Sequence, residues 1–133
     1  MYEMYKEIEE ENKGYVVLVL NGIFYVALGS SAIILKNICR LKPICFKEGV
    51  CKCVIPINSI DAYISKLASE EYNFVICKKE KLGMTELFRY EGNKSVGSLE
   101  CNCKLCWYYD KRIGKSVEEQ VSMWEMKYGK GRE

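Results

Sequence analysis

The feature that most constrains the fold is an Asn-Gly pair, Asn21-Gly22, set between two apolar runs. The run before it is YVVLVL, residues 15–20, and the run after it is IFYVAL, residues 23–28. Runs of β-branched and aromatic residues favour strands, and an Asn-Gly pair between two such runs predicts a two-residue hairpin. Both turn residues, Asn21 and Gly22, are then expected to have positive φ.

The second run is apolar on both of its faces. Successive side chains of a strand point to opposite faces, which separates Phe24, Val26 and Leu28 from Ile23, Tyr25 and Ala27. This pattern predicts a strand that is buried on both sides, with Phe24 in the core. The alternative is that the adjacent rings of Phe24 and Tyr25 are placed to contact another molecule.

The remaining elements alternate irregularly between helix and strand. Apolar periodicity predicts helices over residues 2–12, 30–38, 58–71 and 116–129, and strands within 42–55, 72–78 and 85–92. Ser30 or Ser31 is expected to cap the second helix, and Asn58 or Ser59 the third. The chain is therefore predicted to be a single α/β domain over residues 1–133, with a mixed β-sheet flanked by about three to four helices.

Composition and the first residues bound the function. The 133 residues contain no histidine and no Gly-rich phosphate loop, so the usual catalytic bases are absent and we expect no enzymatic activity. No basic start precedes an apolar run at the amino terminus, and the run over residues 15–20 is too short to span a bilayer. A cytoplasmic protein without a membrane partner is expected.

Charge is segregated along the chain, although the net charge is only +2. Residues 1–12 carry five acids against Lys6. Residues 36–52 carry five bases against Glu48, namely Lys36, Arg40, Lys42, Lys47 and Lys52. The two segments could pair with each other, or the basic one could face phosphate groups.

Eight cysteines in a cytoplasmic protein indicate thiols or metal ligands rather than disulfides. Cys101, Cys103 and Cys106 form the sequence CNCKLC, whose C-x-x-C spacing can present two thiolates to one zinc ion. Cys51 or Cys53 could supply the fourth ligand. The main interpretations are a structural zinc site and a set of reduced thiols. A redox role is disfavoured, because no thioredoxin-like βαβ pattern surrounds the cluster, and no other cofactor is expected.

Residues 15–78 together resemble the amino-terminal, mismatch-recognition domain of the MutS family. The first matching block is Gly22–Val26 followed by Ala32, where the family has a G-D-F-Y-E-type turn. The second block is Val54–Asn58 followed by Tyr63, Lys66 and Leu67, and the third is the strand Phe74–Lys78. The resemblance extends over about residues 1–80, and residues 81–133 form a divergent extension with the cysteine cluster and a last helix.

The resemblance implies a mixed α/β domain that contacts duplex DNA. Phe24 matches the family phenylalanine that wedges beside a mispaired base. Val26 stands where the family has the glutamate that hydrogen-bonds to that base, Ile23 replaces the acid before the phenylalanine, and Asn58 replaces a histidine. The positions that make the fold are thus kept, and polar positions are lost.

Two hypotheses follow. In the first, this is a DNA-binding accessory protein in which Phe24 and Tyr25 contact the duplex, supported by Arg40, Lys42, Lys47 and Lys52. The family's lever, clamp and ATPase parts are not expected, because 133 residues leave no room for them. In the second, the domain is a protein-interaction module that acts on a recombinase, integrase or polymerase of a mobile element.

Overall fold

The computed structural model describes residues 2–47 and 49–99, which lie within one compact unit of residues 1–101. The helices are α1 (Tyr2–Glu11), α2 (Ser30–Cys39) and α3 (Ile60–Ser69), and a 3-10 turn (Ile57–Ser59) leads into α3. The strands are β1 (Val16–Asn21), β2 (Phe24–Leu28), β3 (Ile44–Lys47), β4 (Val50–Pro56), β5 (Phe74–Glu80) and β6 (Gly83–Tyr90). The predicted α/β class is confirmed. The helix predicted over residues 116–129 lies outside the described residues.

The six strands form one mixed sheet in the order β3-β4-β2-β1-β5-β6. The central pair, β1 and β5, is parallel, and every other neighbouring pair is antiparallel. Because β1 and β5 run the same way, their carboxyl ends reach the same end of the sheet. The start of β2 and the end of β4 reach that end too, since Phe24 pairs with both Asn21 and Pro56.

Helices cover both faces of the sheet. On one face Tyr5 of α1 packs in a core with alternate residues of three strands, Val17, Val19, Val26, Leu28, Val75 and Cys77. We call this the α1 face. On the other face Cys53 lies under α2, and Tyr90 of β6 reaches the backbone of α3. Strand β2 is therefore buried on both sides from Tyr25 to Leu28, as its apolar pattern predicts.

The β1–β2 hairpin turns one residue later than the sequence predicts. Asn21 pairs with Phe24, so the two turn residues are Gly22 and Ile23. Of these only Gly22 has a positive φ, at 69°. A turn with positive φ at its first central residue alone is type II′, which requires glycine there. The two-residue hairpin is confirmed, and the assignment of Asn21 to the turn is wrong.

Tyr5 and Ser31 fill a gap between β1 and β2. The ladder between these strands runs from Asn21–Phe24 only to Val19–Val26. Beyond it, the Tyr5 hydroxyl donates to the Val17 carbonyl at 2.7 Å and accepts from the Leu28 N–H at 3.0 Å. The Val17 N–H donates to the Ser31 hydroxyl at 2.9 Å. Two hydroxyls thus satisfy backbone groups that would otherwise be buried without partners, and burial raises the pKa of Tyr5.

The predicted serine cap of α2 is wrong. Gly29, with φ 60° and ψ −127°, occupies the N-cap position, and the helix begins at Ser30. Glycine suits this backbone conformation because it has no Cβ. The Ser31 hydroxyl accepts a hydrogen bond from the Val17 N–H of β1 and does not cap the helix. Ser59 does precede α3, as predicted, although its side chain makes no cap hydrogen bond.

Candidate nucleic-acid interface

Phe24 is the solvent-exposed end of an otherwise buried strand. Its side chain is 40% exposed, whereas Val26, two residues along on the same face, is 8% exposed. Val26 belongs to the core cluster around Tyr5, and Phe24 does not. The prediction that Phe24 lies in the core is therefore wrong, because the core packed on α1 extends along this face of β2 only as far as Val26.

Two further exposed apolar residues lie next to Phe24 along the backbone of the hairpin turn and the end of β4. Ile23 in the turn is 67% exposed, and Ile57 at the start of the 3-10 turn is 40% exposed. The Ile57 N–H donates to the Ile23 carbonyl at 2.9 Å, which ties the end of β4 to the hairpin turn. We call Ile23, Phe24 and Ile57 the apolar tip. Its backbone is held by the sheet on one side and by this hydrogen bond on the other.

Tyr25, the second ring of the predicted pair, lies on the opposite face of the sheet. It pairs with Leu20 and Ile55 and is only 9% exposed. Phe24 is thus the member of the pair that solvent reaches. The structure does not bring the two rings onto one surface, because neighbouring residues of a strand face opposite ways.

Lys47 and Lys52 share the α1 face with Phe24 but lie far along it. Lys52 pairs with Leu28 and is four residues along β4 from Pro56, the partner of Phe24. That places it about 13 Å from the level of Phe24. The Lys52 ammonium lies 5.7 Å from the Phe46 ring centre, and that of Lys47 lies 4.3 Å from the Tyr2 ring centre.

Arg40 and Lys42 follow α2 and are exposed. Arg40 has a left-handed backbone, φ 58°, and its N–H caps the helix at the Leu35 carbonyl. It lines a surface cavity of about 350 Å³ together with Tyr63 and Lys66 of α3. Arg40 therefore lies on the α2–α3 side of the sheet, away from the α1 face that carries Phe24.

The acidic and basic segments meet through rings rather than through ion pairs. Within the described ranges the ion pairs are Lys13–Glu10, Arg89–Glu86 and Lys94–Glu70, so none joins α1 to residues 36–52. Instead the Tyr2 and Phe46 rings lie 5.7 Å apart, centre to centre. Lys47 and Lys52 then contact those rings as cation–π partners.

The cysteine cluster at Cys101, Cys103 and Cys106 lies outside the described residues, so the zinc site stays a prediction. The two cysteines suggested as a fourth ligand, Cys51 and Cys53, are both buried. The Cys53 thiol donates to the Ala32 carbonyl at 3.4 Å, and burial raises its pKa to about 11. This environment favours the neutral thiol, whereas zinc binds the thiolate. No group of three or more metal-ligating side chains occurs in the part of the chain that the structure describes.

Sequence reasoning missed Lys79, a lysine that the strand register places level with Phe24 across the sheet. Lys78 pairs with Leu20 across the parallel β1–β5 ladder, so Lys79 is level with Asn21, the partner of Phe24. Lys79 also shares the α1 face, because Cys77 two residues earlier does. The only sequence signal is the lysine-rich stretch KKEK, residues 78–81. Its position beside Phe24 depends on a long-range strand pairing that local sequence does not reveal.

Among residues 2–47 and 49–99, no helix is long and apolar enough to cross a membrane.

The fold and the tip together define a class: a mixed α/β domain with a solvent-facing aromatic residue at a hairpin beside its central parallel strands. The family profile of MutS domain I matches residues 1–96. The chain belongs to the MutS domain I family, as the resemblance indicated. The DNA mismatch repair protein MutS of Finegoldia magna is 34% identical over 83 residues. That match covers 59% of this chain and 10% of the relative, so the chain spans about a tenth of that protein.

Proposed function

We propose that this domain is a non-catalytic accessory module that binds duplex DNA, with Phe24 entering the base stack. The observation that carries the proposal is the 40% exposure of Phe24 at the family's wedge position, while its neighbours on β2 are buried. An apolar side chain inserted at a base step unstacks it, at a cost of a few kcal/mol that is smallest where pairing is already poor. The rigid sheet beneath Phe24 supports such an insertion.

Lys47 and Lys52 are the proposed phosphate contacts of this site. Both lie on the α1 face with Phe24. The separation of about 13 Å between Lys52 and the level of Phe24 equals about four base pairs along a duplex. Arg40 and Lys42 would contact DNA only where it bends around the sheet edge. Tyr25, which lies on the opposite face of the sheet, would act indirectly by stabilising the strand that carries Phe24.

The proposed binding discriminates DNA by deformability rather than by base identity. Val26, at the position of the family glutamate, is buried under α1 and has no polar atom to offer a base. Duplexes that unstack easily, such as mismatched or bent ones, should bind better than matched ones. The identity of the mispaired base should matter little.

Titration of matched, mismatched and bent duplexes at about 50 and 200 mM salt tests the proposal. We expect micromolar binding that weakens steeply with salt, and a preference for the mismatched duplex that Phe24→Ala removes. Phe88→Ala is the matched control, since Phe88 is 50% exposed but lies against Phe74 on the opposite face. Absence of binding at about 50 mM salt, where phosphate contacts are strongest, would contradict the proposal.

A second candidate, a protein-interaction module, is favoured by the apolar tip itself. Ile23, which replaces a family acid, and Ile57 add exposed apolar surface next to Phe24. A partner such as a recombinase, integrase or polymerase of a mobile element would dock there through a hydrophobic contact. A photo-crosslinking residue at Ile23, introduced in the native cell, separates the candidates. A discrete protein adduct that Phe24→Ala abolishes supports this one, and an adduct to DNA alone rejects it.

A further inference from the structure

A lysine-rich hairpin reaches the same end of the sheet as Phe24. It consists of the end of β5, the turn Lys81-Leu82 and the start of β6, with Glu80 paired to Gly83. We propose that this β5–β6 hairpin is a second phosphate-binding element, with Lys79 and Lys81 holding the duplex on the opposite side of Phe24 from Lys52. The inference rests on the proposed DNA-binding function and adds contacts that neither the sequence nor the family resemblance assigned.

Register places Lys79 beside Phe24. Across the sheet, Pro56, Phe24 and Asn21 are successive partners, and Lys79 continues the row one position after the Leu20–Lys78 pair. Two strand spacings separate β2 from β5, which is about 10 Å. A lysine side chain adds several ångströms of reach, so Lys79 and Phe24 can contact the same few base pairs. Phe24 then lies between Lys79 on one side and β4 with Lys52 on the other.

The hairpin lysines are uncommitted, in contrast to Lys47 and Lys52 on the same α1 face. In the described part of the chain, Lys78, Lys79 and Lys81 take part in no ion pair and lie over no aromatic ring. Lys47 and Lys52 lie over rings, and Lys13 and Lys94 are ion-paired. An uncommitted ammonium group gives up no internal contact when it binds a phosphate.

Charges on the hairpin are sorted by face. Alternation from Cys77 puts Lys79 on the α1 face and Glu80 on the opposite face. Glu86, also on the α1 face, is held by Arg89 through two hydrogen bonds of 2.6 and 3.2 Å, which lower its pKa. Glu11 of α1 is the other carboxylate whose charge reaches Cys77. The α1 face near the hairpin therefore presents Lys79, while Glu86 on the same face is already paired with Arg89.

The double variant Lys79→Gln/Lys81→Gln tests the inference on a 20-base-pair duplex with a central mismatch. Each phosphate contact contributes about 0.9 to the slope of log K against log salt concentration. Loss of two contacts should reduce that slope by about 2 and weaken binding at about 50 mM salt by roughly tenfold or more. Folding of the variant is checked by its urea midpoint, since the substitutions lie at the end of a hairpin.

The matched control is Lys13→Gln/Lys94→Gln, which removes the same charge from two ion-paired lysines. Tyr72, before β5, pairs with Lys94, so this residue lies at the opposite end of β5 from the hairpin. The control should leave the slope unchanged. Equal losses in both double variants would mean a net-charge effect and would overturn the inference. If the hairpin variant binds like wild type while Phe24→Ala binds poorly, the inference fails and the proposed function stands. If wild type binds no DNA, both fail.

Discussion

Strand β2 passes from an exposed tip into a buried core within five residues. Phe24 is 40% exposed beside Ile23 and Ile57, whereas Val26 and Leu28 on the same face are 8% and 2% exposed under α1. The buried half packs in the core around Tyr5, and its Leu28 N–H donates to the Tyr5 hydroxyl, so it contributes more to stability than the tip does. The tip contributes little to the core and is free to contact another molecule.

The difference between these two halves shows how the family resemblance should be interpreted. The matching block Gly22–Val26 spans both halves. Gly22 and Tyr25 satisfy the fold, through a positive φ and through burial, and their match reports the fold. Phe24 is the matching residue whose retention the core does not require. The proposed DNA binding therefore rests on Phe24 and its exposed surroundings.

The largest expected effect is on stability, at Tyr5 in the buried half. Tyr5→Ala removes a fully buried ring and should reduce the free energy of unfolding by about 3–5 kcal/mol. Tyr5→Phe keeps the ring but strands the Val17 carbonyl and the Leu28 N–H, at about 1–3 kcal/mol. Urea unfolding measures both. Ile23→Ala at the tip should change the free energy of unfolding by less than about 0.5 kcal/mol. If Ile23→Ala instead costs as much stability as Tyr5→Phe, the distinction between a stabilising buried half and an exposed tip is contradicted.

The second-largest effect is expected on stability when the family glutamate is restored at position 26. Val26→Glu places a carboxylate in the core under α1 and should cost several kcal/mol at pH 7. Burial raises the pKa of that carboxyl, so the penalty should shrink as pH falls through the raised value. Val26→Gln, which does not ionise, should show no such recovery in unfolding measured from pH 8 to 4. A fully stable Val26→Glu with a new mismatch preference would show that this position faces DNA after all.

A smaller effect on stability is expected at alkaline pH. It arises from the thiol of Cys53, which pairs with Ala27 in the buried half of β2. Burial raises its pKa from 9.0 to about 11. The neutral thiol is therefore favoured in the folded state, and stability present below pH 9 should be lost between pH 9 and 11. The loss is roughly 1–3 kcal/mol, at about 1.4 kcal/mol per pKa unit. Cys53→Ser should be less sensitive over that range, whereas Cys45→Ser, at a less buried site on β3, should behave like wild type.

The smallest expected effect is on DNA affinity, and it compares a basic residue on each face of the sheet. Lys52→Gln, on the α1 face with Phe24, should weaken DNA binding a few-fold and reduce the salt slope by about 1. Arg40→Gln, beside Tyr63 and Lys66 on the other side, should change affinity less than twofold. Fluorescence anisotropy with one labelled duplex compares the two. A larger effect at Arg40 would place the DNA on the α2–α3 side.

Local sequence patterns predicted most of the fold but only part of the candidate site. The hairpin, the strand alternation and α3 follow from local periodicity, and the Asn21-Gly22 pair located the turn to within one residue. The exposure of Phe24 could not be predicted from apolar periodicity, because it depends on where the core against α1 ends, and only the family resemblance indicated it. Lys79 was missed because the β1–β5 pairing joins residues 58 positions apart. Ser31 looked like a helix cap because its partner, the Val17 N–H, lies in another element.

The most direct test of the account is whether Phe24 unstacks a base. A duplex with 2-aminopurine next to a mismatch reports unstacking as a rise in fluorescence. Wild-type protein at saturating concentration should raise the signal, and Phe24→Ala should bind with the same salt slope but leave the signal flat. An equal rise with Phe24→Ala, or none with saturating wild type, would contradict the wedge and leave the apolar tip as a protein-binding surface.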